Sequence, residues 1–235
     1  MSTPTVAIIG HGRMGRAVED VARAQGVPVR AIIARGTPVN ASTLDGADVA
    51  IEFTTPQSAV ANARACIDAG CAVVVGSTGW TGDLDALTRF VDERGGALLW
   101  SPNFSLGLNA LLGVVLTAGA AFGRLPGFDA HLVETHHTAK KDAPSGTALH
   151  LARAMSATFG RDVPITSVRV GSVPGTHEII VDGPFEQVRL THEVRDRRVF
   201  AEGALLAARW LTGRRGVFTL ADVLESPVAP HSPAP

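Results

Sequence analysis

The chain has 235 residues, 46% of them apolar and 18% charged, with 21 Lys and Arg against 22 Asp and Glu. At about 150 residues per domain this is one or two globular domains with a real core, which excludes a disordered chain, a collagen, a coiled coil and a small disulfide scaffold. A net charge of −1 gives no long-range field for nucleic acid or an anionic membrane, so an anionic ligand must be held by a local site.

The first hundred residues alternate two patterns. Val- and Ile-rich runs at 5–9, 29–34, 49–53, 72–75 and 97–100 lack polar alternation and predict strands buried on both faces. Segments with helical spacing lie between them, at 14–24, 58–69 and 84–93. Strands alternating with helices over short connections give an α/β fold, a Rossmann-type doubly wound parallel sheet, over 1–105. Cys66 and Cys71 flank a helix-to-strand junction, poor geometry for a disulfide, and read as reduced thiols.

The register changes after Trp100. A polar break at 101–105 leads into an apolar stretch from Leu106 to Phe122, which carries Asn109 and Thr117 and falls short of the roughly 20 residues of a membrane span. It reads as a buried helix. A strand at 129–135, a helix at 145–158 and runs at 165–170, 177–181 and 187–192 then suggest a second, α+β domain on a mixed sheet, over 106–196. A helix at 199–211, a short strand at 217–220 and a helical turn at 221–224 return to the first domain, which therefore includes 197–235. The proline-rich tail after Ser226 is expected to fray. The N-terminus shows no basic and apolar leader, and with the free thiols this predicts a cytoplasmic location.

Gly10, His11, Gly12, Arg13, Met14 and Gly15 form a G-x-G-x-x-G turn between a buried strand and a helix. The first glycine permits the tight turn, the second lets backbone approach a pyrophosphate, and the third lets helix and strand pack closely. Where an acid would read the ribose of NADH, the chain has Ala34 and then Arg35, a guanidinium suited to the 2′-phosphate of NADPH. Phe53 and Thr54 close the third strand, and Gly76, Ser77 and Thr78 the fourth, at the edge where such sheets bind ligands.

The richest segment runs from Glu134 to Ala148. It is a polar, cationic loop with His136, His137, Lys140 and Lys141, and it leads into a helix opening on Ser145, Gly146 and Thr147. Helix N-termini present unsatisfied N–H groups, and with the imidazoles and ammonium groups they form a local anion site. A metal reading of His136 and His137 is disfavoured, because adjacent residues on an extended segment point to opposite sides. The remaining histidines, His11 in the glycine turn aside, read as surface or packed residues, and no G-x-S-x-G elbow supports a serine nucleophile.

At these residues the chain resembles the 4-hydroxy-tetrahydrodipicolinate (dihydrodipicolinate) reductase family. The resemblance rests on Gly12-Arg13-Met14-Gly15, Phe53-Thr54, Gly76-Ser77-Thr78-Gly79, Asn103-Phe104-Ser105 with Gly107 and Asn109, and above all His136-His137-x-x-Lys140 with Asp142-Ala143-Pro144-Ser145-Gly146-Thr147-Ala148. It implies NADPH- or NADH-dependent reduction of a small cyclic dicarboxylate in lysine and diaminopimelate biosynthesis, by a homotetramer built through the second domain. His136 is implied as general acid or base and Lys140 as proton donor. His137 with backbone groups of Gly146 and Thr147 would hold substrate carboxylates, and Ser101, Pro102, Asn103, Phe104 and Arg197 would border the coenzyme. Two departures concern the coenzyme: many members carry one more residue in the glycine turn, and many have an acid at the position of Ala34. An aspartate-type amino-acid dehydrogenase or a non-enzymatic nucleotide sensor shares parts of the layout without needing His136 and Lys140.

Overall fold

The computed structural model describes residues 3–225, so the proline-rich tail and His231 lie outside the described residues. In chain order the first elements are β1 (Val6–Ile9), α1 (Arg13–Ala24), β2 (Val29–Ile33), α2 (Ala41–Leu44), β3 (Val49–Glu52), α3 (Pro56–Asp68), β4 (Ala72–Val75), α4 (Leu84–Arg94) and β5 (Ala97–Trp100). Next come α5 (Leu106–Phe122), β6 (Asp129–His136), α6 (Gly146–Phe159), β7 (Ile165–Arg169), β8 (Thr176–Asp182) and β9 (Gln187–Glu193). The chain closes with α7 (Arg198–Leu211), β10 (Gly216–Thr219) and α8 (Leu220–Glu225). Two compact units result: residues up to Ser105 joined by the chain from Arg198 onward, and Leu106–Arg197.

Unit 1 is a six-stranded sheet in the order β10-β5-β4-β3-β1-β2, parallel throughout. The central strands β1 and β3 are buried at every residue, as expected of strands covered on both faces. β2 departs from the expectation: it is the sheet edge, and Val29 to Ile32 alternate between half-buried and exposed, with only Ile33 buried. α7 packs on α1 and on β3, β4 and β5, burying Ala201, Ala204, Leu205, Ala208 and Leu211.

The glycine turn explains how α1 sits so close to β1. A Cβ on Gly15 would lie 1.8 Å from the Gly10 carbonyl oxygen, and Gly10, at φ +92°, would place one 2.3 Å from the Phe53 carbonyl oxygen. Gly12 differs, since a Cβ there would meet nothing within 4 Å. The first and third glycines are therefore demanded by packing, and the second leaves an open approach to the backbone.

Unit 2 is a four-stranded mixed sheet in the order β7-β6-β8-β9. β6 runs parallel to β7 and antiparallel to β8, which is antiparallel to β9. Leu108 and Val115 of α5 and Leu151 and Met155 of α6 meet Ala130, Leu132, Ile179 and Val181 in one core. The apolar stretch 106–122 is the helix its sequence predicts, but only Leu108, Val115 and Gly119 are buried. Val114 is 49% and Leu116 42% exposed. A helix apolar on every side packs one face against the sheet and α6 and leaves Val114 and Leu116 outside that core.

Gly15→Ala should lower stability by about 1–3 kcal/mol through overpacking against the Gly10 carbonyl, whereas Gly12→Ala should stay within about 0.5 kcal/mol. Urea midpoints of the two variants against the parent chain decide the contrast.

Candidate active site

In unit 1 the polar segments converge at the C-terminal ends of β1, β3 and β4. Gly12, Arg13 and Met14 of the glycine turn, Phe53 and Thr54 after β3, and Gly76, Ser77 and Thr78 after β4 line one cleft. The Thr54 N–H donates to Ser77 Oγ at 2.8 Å and to the Glu52 carboxylate at 3.0 Å, which ties two strand ends together. A Cβ on Gly76 would lie 2.0 Å from the Phe53 ring, so only glycine leaves that ring its place. Phe53 in turn packs edge-on against buried Phe104, at 6.1 Å between centroids. Residues 101–105 form a tight polar turn, with Ser101 Oγ donating to the Asn103 carbonyl at 2.7 Å and Asn103 Oδ1 accepting from the Ser105 N–H at 2.8 Å. Pro102 is exposed in that turn, as are Arg35 beyond β2 and Arg197 at the end of unit 2. His11 Nε2 lies 2.8 Å from Glu19 of α1.

In unit 2 the chemistry gathers on the inward face of β6 and β8. Alternate residues of a strand share a face, so Ala130, Leu132, Glu134 and His136, all buried, lead from the apolar core into a polar cluster. His177 stands opposite Glu134 across the antiparallel pair, in phase with buried Ile179 and Val181. Glu134 has no exposed surface. Its Oε1 accepts from Arg169 Nη2 at 2.7 Å and from the Ser145 N–H at 3.2 Å, and its Oε2 lies against His136 Nδ1. Arg169 also donates to the Asp142 carbonyl at 2.6 Å, pinning the loop that carries Lys140. Lys140 Nζ pairs with Asp142 at 2.8 Å.

Ser145 caps α6, its Oγ accepting from the Ala148 N–H at 3.1 Å and lying 3.2 Å from His177 Nε2. Gly146 and Thr147 open the helix, and half-buried His137 directly follows β6. The structure thus gathers His136, Lys140, Ser145 and the α6 N-terminus around one buried carboxylate.

Burial alone would push Glu134 up, but Arg169, Ser167, His136 and the Ser145 N–H outweigh it and bring the carboxyl down to about 2. Burial lowers His136, with Lys140 and Arg169 acting in the same direction and Glu134 opposing them. His177 is pushed down to about 4, first by burial and then by neighbouring His136. Both imidazoles are therefore neutral at pH 7 beside an ionised carboxylate. Glu134, His136 and His177 offer donor atoms within 4.8 Å of one another, but a cation would have to share the carboxylate with Arg169 and His177 with Ser145.

Two sequence expectations need correction. His136, expected on an exposed loop, is the buried last residue of β6, because the strand continues one residue further than the pattern suggests. His177, read as unrelated to the site, belongs to it. Arg169 and His177 carried no motif and Glu134 was given no role at the head of its segment, although Glu134 and His177 fall in phase with buried apolar residues, which marks a polar group that needs an internal partner.

The N-terminal domain of the family described as dihydrodipicolinate reductase matches residues 4–104, and its C-terminal domain matches residues 107–224. The chain belongs to the dihydrodipicolinate reductase family. It is similar to the 4-hydroxy-tetrahydrodipicolinate reductases of Anaeromyxobacter dehalogenans strain 2CP-1, at 36% identity over 82% of this chain and 80% of that one, and of Myxococcus xanthus, at 37% over 76% and 72%. A dipicolinate-bound dihydrodipicolinate reductase from Paenisporosarcina sp. TG-14 shares the fold, with a TM-score of 0.76 at 21% identity over 94% of this chain and 99% of that one.

Dihydrodipicolinate reductases use NAD(P)H, and their N-terminal domain binds the nucleotide. The cleft of unit 1 fits that group: Gly12 leaves backbone open to a pyrophosphate, the N-terminus of α1 faces the turn, and no carboxylate follows β2 to repel a 2′-phosphate.

The depressed values set an acid profile. Stability from His177 is complete above its ordinary value of 6.5 and is lost as pH falls toward 4; stability from Glu134 is complete above 4.5 and is lost toward 2. His177→Gln should flatten the slope of stability against pH between 6.5 and 4 and leave the lower limb in place. Urea denaturation across that range tests it, and an unaltered slope would refute it.

Proposed function

We infer that this chain performs the NAD(P)H-dependent reduction of 4-hydroxy-tetrahydrodipicolinate to tetrahydrodipicolinate in lysine and diaminopimelate biosynthesis. The observation that carries the reading is the buried cluster that sets His136 and Lys140 beside a helix N-terminus, within a chain that matches the family along both domains.

Loss of the 4-hydroxyl as water turns 4-hydroxy-tetrahydrodipicolinate into a conjugated imine, to which the coenzyme, when bound, would supply a hydride. Anion recognition and proton handling then fall to the chain. A cyclic dicarboxylate needs two anion subsites, and His137, Ser145 and the backbone N–H groups of Gly146 and Thr147 supply donors for them. Lys140 exchanges its Asp142 partner for the substrate, stabilises the negative charge that hydride addition leaves on the ring, and donates a proton to it. His136 serves as general acid or base through the nitrogen that does not face Glu134.

For the coenzyme, Gly10, His11, Gly12, Arg13, Met14 and Gly15 hold the pyrophosphate, and Arg35 pairs with a 2′-phosphate that Ala34 does nothing to repel. Phe53, Thr54, Gly76, Ser77 and Thr78, with Ser101, Pro102, Asn103 and Phe104, border the rest of it. A cytoplasmic homotetramer completes the reading. No helix among the described residues is long and apolar enough to cross a membrane. The face of the unit 2 sheet opposite α5 and α6 carries Val133, Val168 and Ile180 beside the Glu178–Arg189 ion pair, with Val168 36% exposed, a mixed surface fit for a second copy.

Lys140→Ala should lower turnover by at least about 100-fold at nearly unchanged thermal stability. His136→Ala should lose turnover comparably and also about 1–3 kcal/mol of stability, since it leaves a buried carboxylate oxygen unmatched. Coenzyme oxidation with freshly generated substrate, read beside thermal melts, tests both; wild-type turnover in either variant would remove that residue from the mechanism. The parent chain should use NADPH at least as efficiently as NADH, and Arg35→Ala should weaken NADPH selectively, by about 10- to 150-fold. The ratio of kcat/KM for the two coenzymes is the measurement, and a ratio unmoved by Arg35→Ala would place phosphate recognition elsewhere.

A further inference from the structure

We propose that Glu134, clamped by Arg169, is the positioning residue of the active site: it holds His136 in the tautomer with the proton on Nδ1, leaving Nε2 to the substrate, and through the Ser145 N–H it fixes the N-terminus of α6 relative to that imidazole. The proposal rests on the reaction inferred above only for the role it gives His136; the geometry it describes stands independently.

An ionised carboxylate accepts hydrogen bonds and cannot donate one. Glu134 Oε2 is in contact with His136 Nδ1, so a lone pair on that nitrogen would face an anionic oxygen in a site closed to water. The favourable arrangement puts the hydrogen on Nδ1 and the lone pair on Nε2. On the far side, a Cβ on Gly175, the residue before β8, would lie 3.0 Å from Nε2, so glycine there keeps a side chain off that nitrogen. The other carboxylate oxygen is fully used, by Arg169 from β7 and by the backbone N–H of the α6 cap. The carboxylate therefore cannot rotate away from the imidazole without abandoning both.

The guanidinium extends the arrangement to Lys140. Its second hydrogen bond, to the Asp142 carbonyl, lies within the Lys140 loop, so imidazole, ammonium and helix N-terminus are referred to one buried ion pair. Among the described residues, the charged and titratable groups around His136 are Glu134 on its own strand, Arg169 on β7, His177 on β8 and Lys140 on the following loop, with His192 of β9 beyond His177. Glu134 favours the imidazolium and the two cations oppose it.

The two substitutions move the pKa in opposite directions, and only Glu134→Gln also moves the tautomer, which a purely structural or Coulombic role would leave in place. Glu134→Gln keeps its carbonyl for Arg169 and Ser145 and turns its NH2 group toward Nδ1. This forces the lone pair onto Nδ1 and the proton onto Nε2, and it lowers the pKa of His136. Arg169→Gln removes an opposing charge and leaves the carboxylate to the imidazole, so that pKa rises and the tautomer is kept. Long-range proton–nitrogen NMR on the 15N-labelled full chain, titrated over pH without ligands, reads tautomer and pKa of His136 directly. Expected are Nδ1–H in the parent chain, Nε2–H with a lower pKa in Glu134→Gln, and Nδ1–H with a higher pKa in Arg169→Gln. In turnover, Glu134→Gln should lose kcat by about 100-fold while KM holds, because the Ser145 anchor survives. An Nε2–H parent chain, or shifts of the same sign in both variants, overturns the proposal. If a variant does not fold, the parent tautomer and the other variant decide it. Should the NMR result hold in a chain inactive toward the inferred substrate, the reaction would be wrong and the positioning right.

Discussion

A fully buried carboxylate stays ionised only if cations and N–H donors surround it, and in unit 2 that requirement draws separate stretches of chain together. Glu134 takes a guanidinium from β7, an N–H from the cap of α6 and an imidazole from its own strand, and His177 of β8 joins through Ser145. Each partner belongs to a piece that carries part of the candidate site. The net Coulombic gain from such a pair is small once desolvation is counted; its consequence here is geometric, since removing any one member leaves another buried group unmatched. This also explains why the polar cluster sits at one end of the apolar core rather than on an exposed loop.

Unit 1 is governed by a steric constraint. Its site depends on backbone lying against backbone: Gly15 on the Gly10 carbonyl, Gly10 on the Phe53 carbonyl, Gly76 under the Phe53 ring. Any side chain at these places would push α1 or a strand end outward and close the cleft or misplace its walls. Of the three glycines of the turn, Gly12 is the one that faces open space. One turn thus contains glycines with different duties, two serving packing and one serving a ligand that approaches the backbone.

The uncovered apolar surface of unit 2 follows from its layer count. A mixed sheet with helices on one face leaves the other face to find a partner, and β6, β7 and β8 present Val133, Val168 and Ile180 there. α5 repeats the situation, with Val114 and Leu116 outside the core.

The sequence by itself determined the alternation of strand and helix in the first hundred residues, the mixed character of the second sheet and the glycine turn, because these depend on local periodicity and on the steric demands of neighbouring residues. It also marked His136, Lys140 and the Ser145-Gly146-Thr147 helix start, since a dense polar string between a strand and a helix is visible without coordinates. The edge position of β2 and the half-bare surface of α5 were decided by strand order and by what covers each face, which no window of neighbouring residues contains. Glu134, Arg169 and His177 depended on tertiary structure in the same way. Arg169 lies 35 residues beyond Glu134 in the chain, and only the parallel pairing of β6 with β7 and the antiparallel pairing with β8 bring the two cationic and acidic groups and the second imidazole to one point. Alternation along β6 could announce that Glu134 faces inward; which charge would meet it there was set by sheet register, a property of the folded chain.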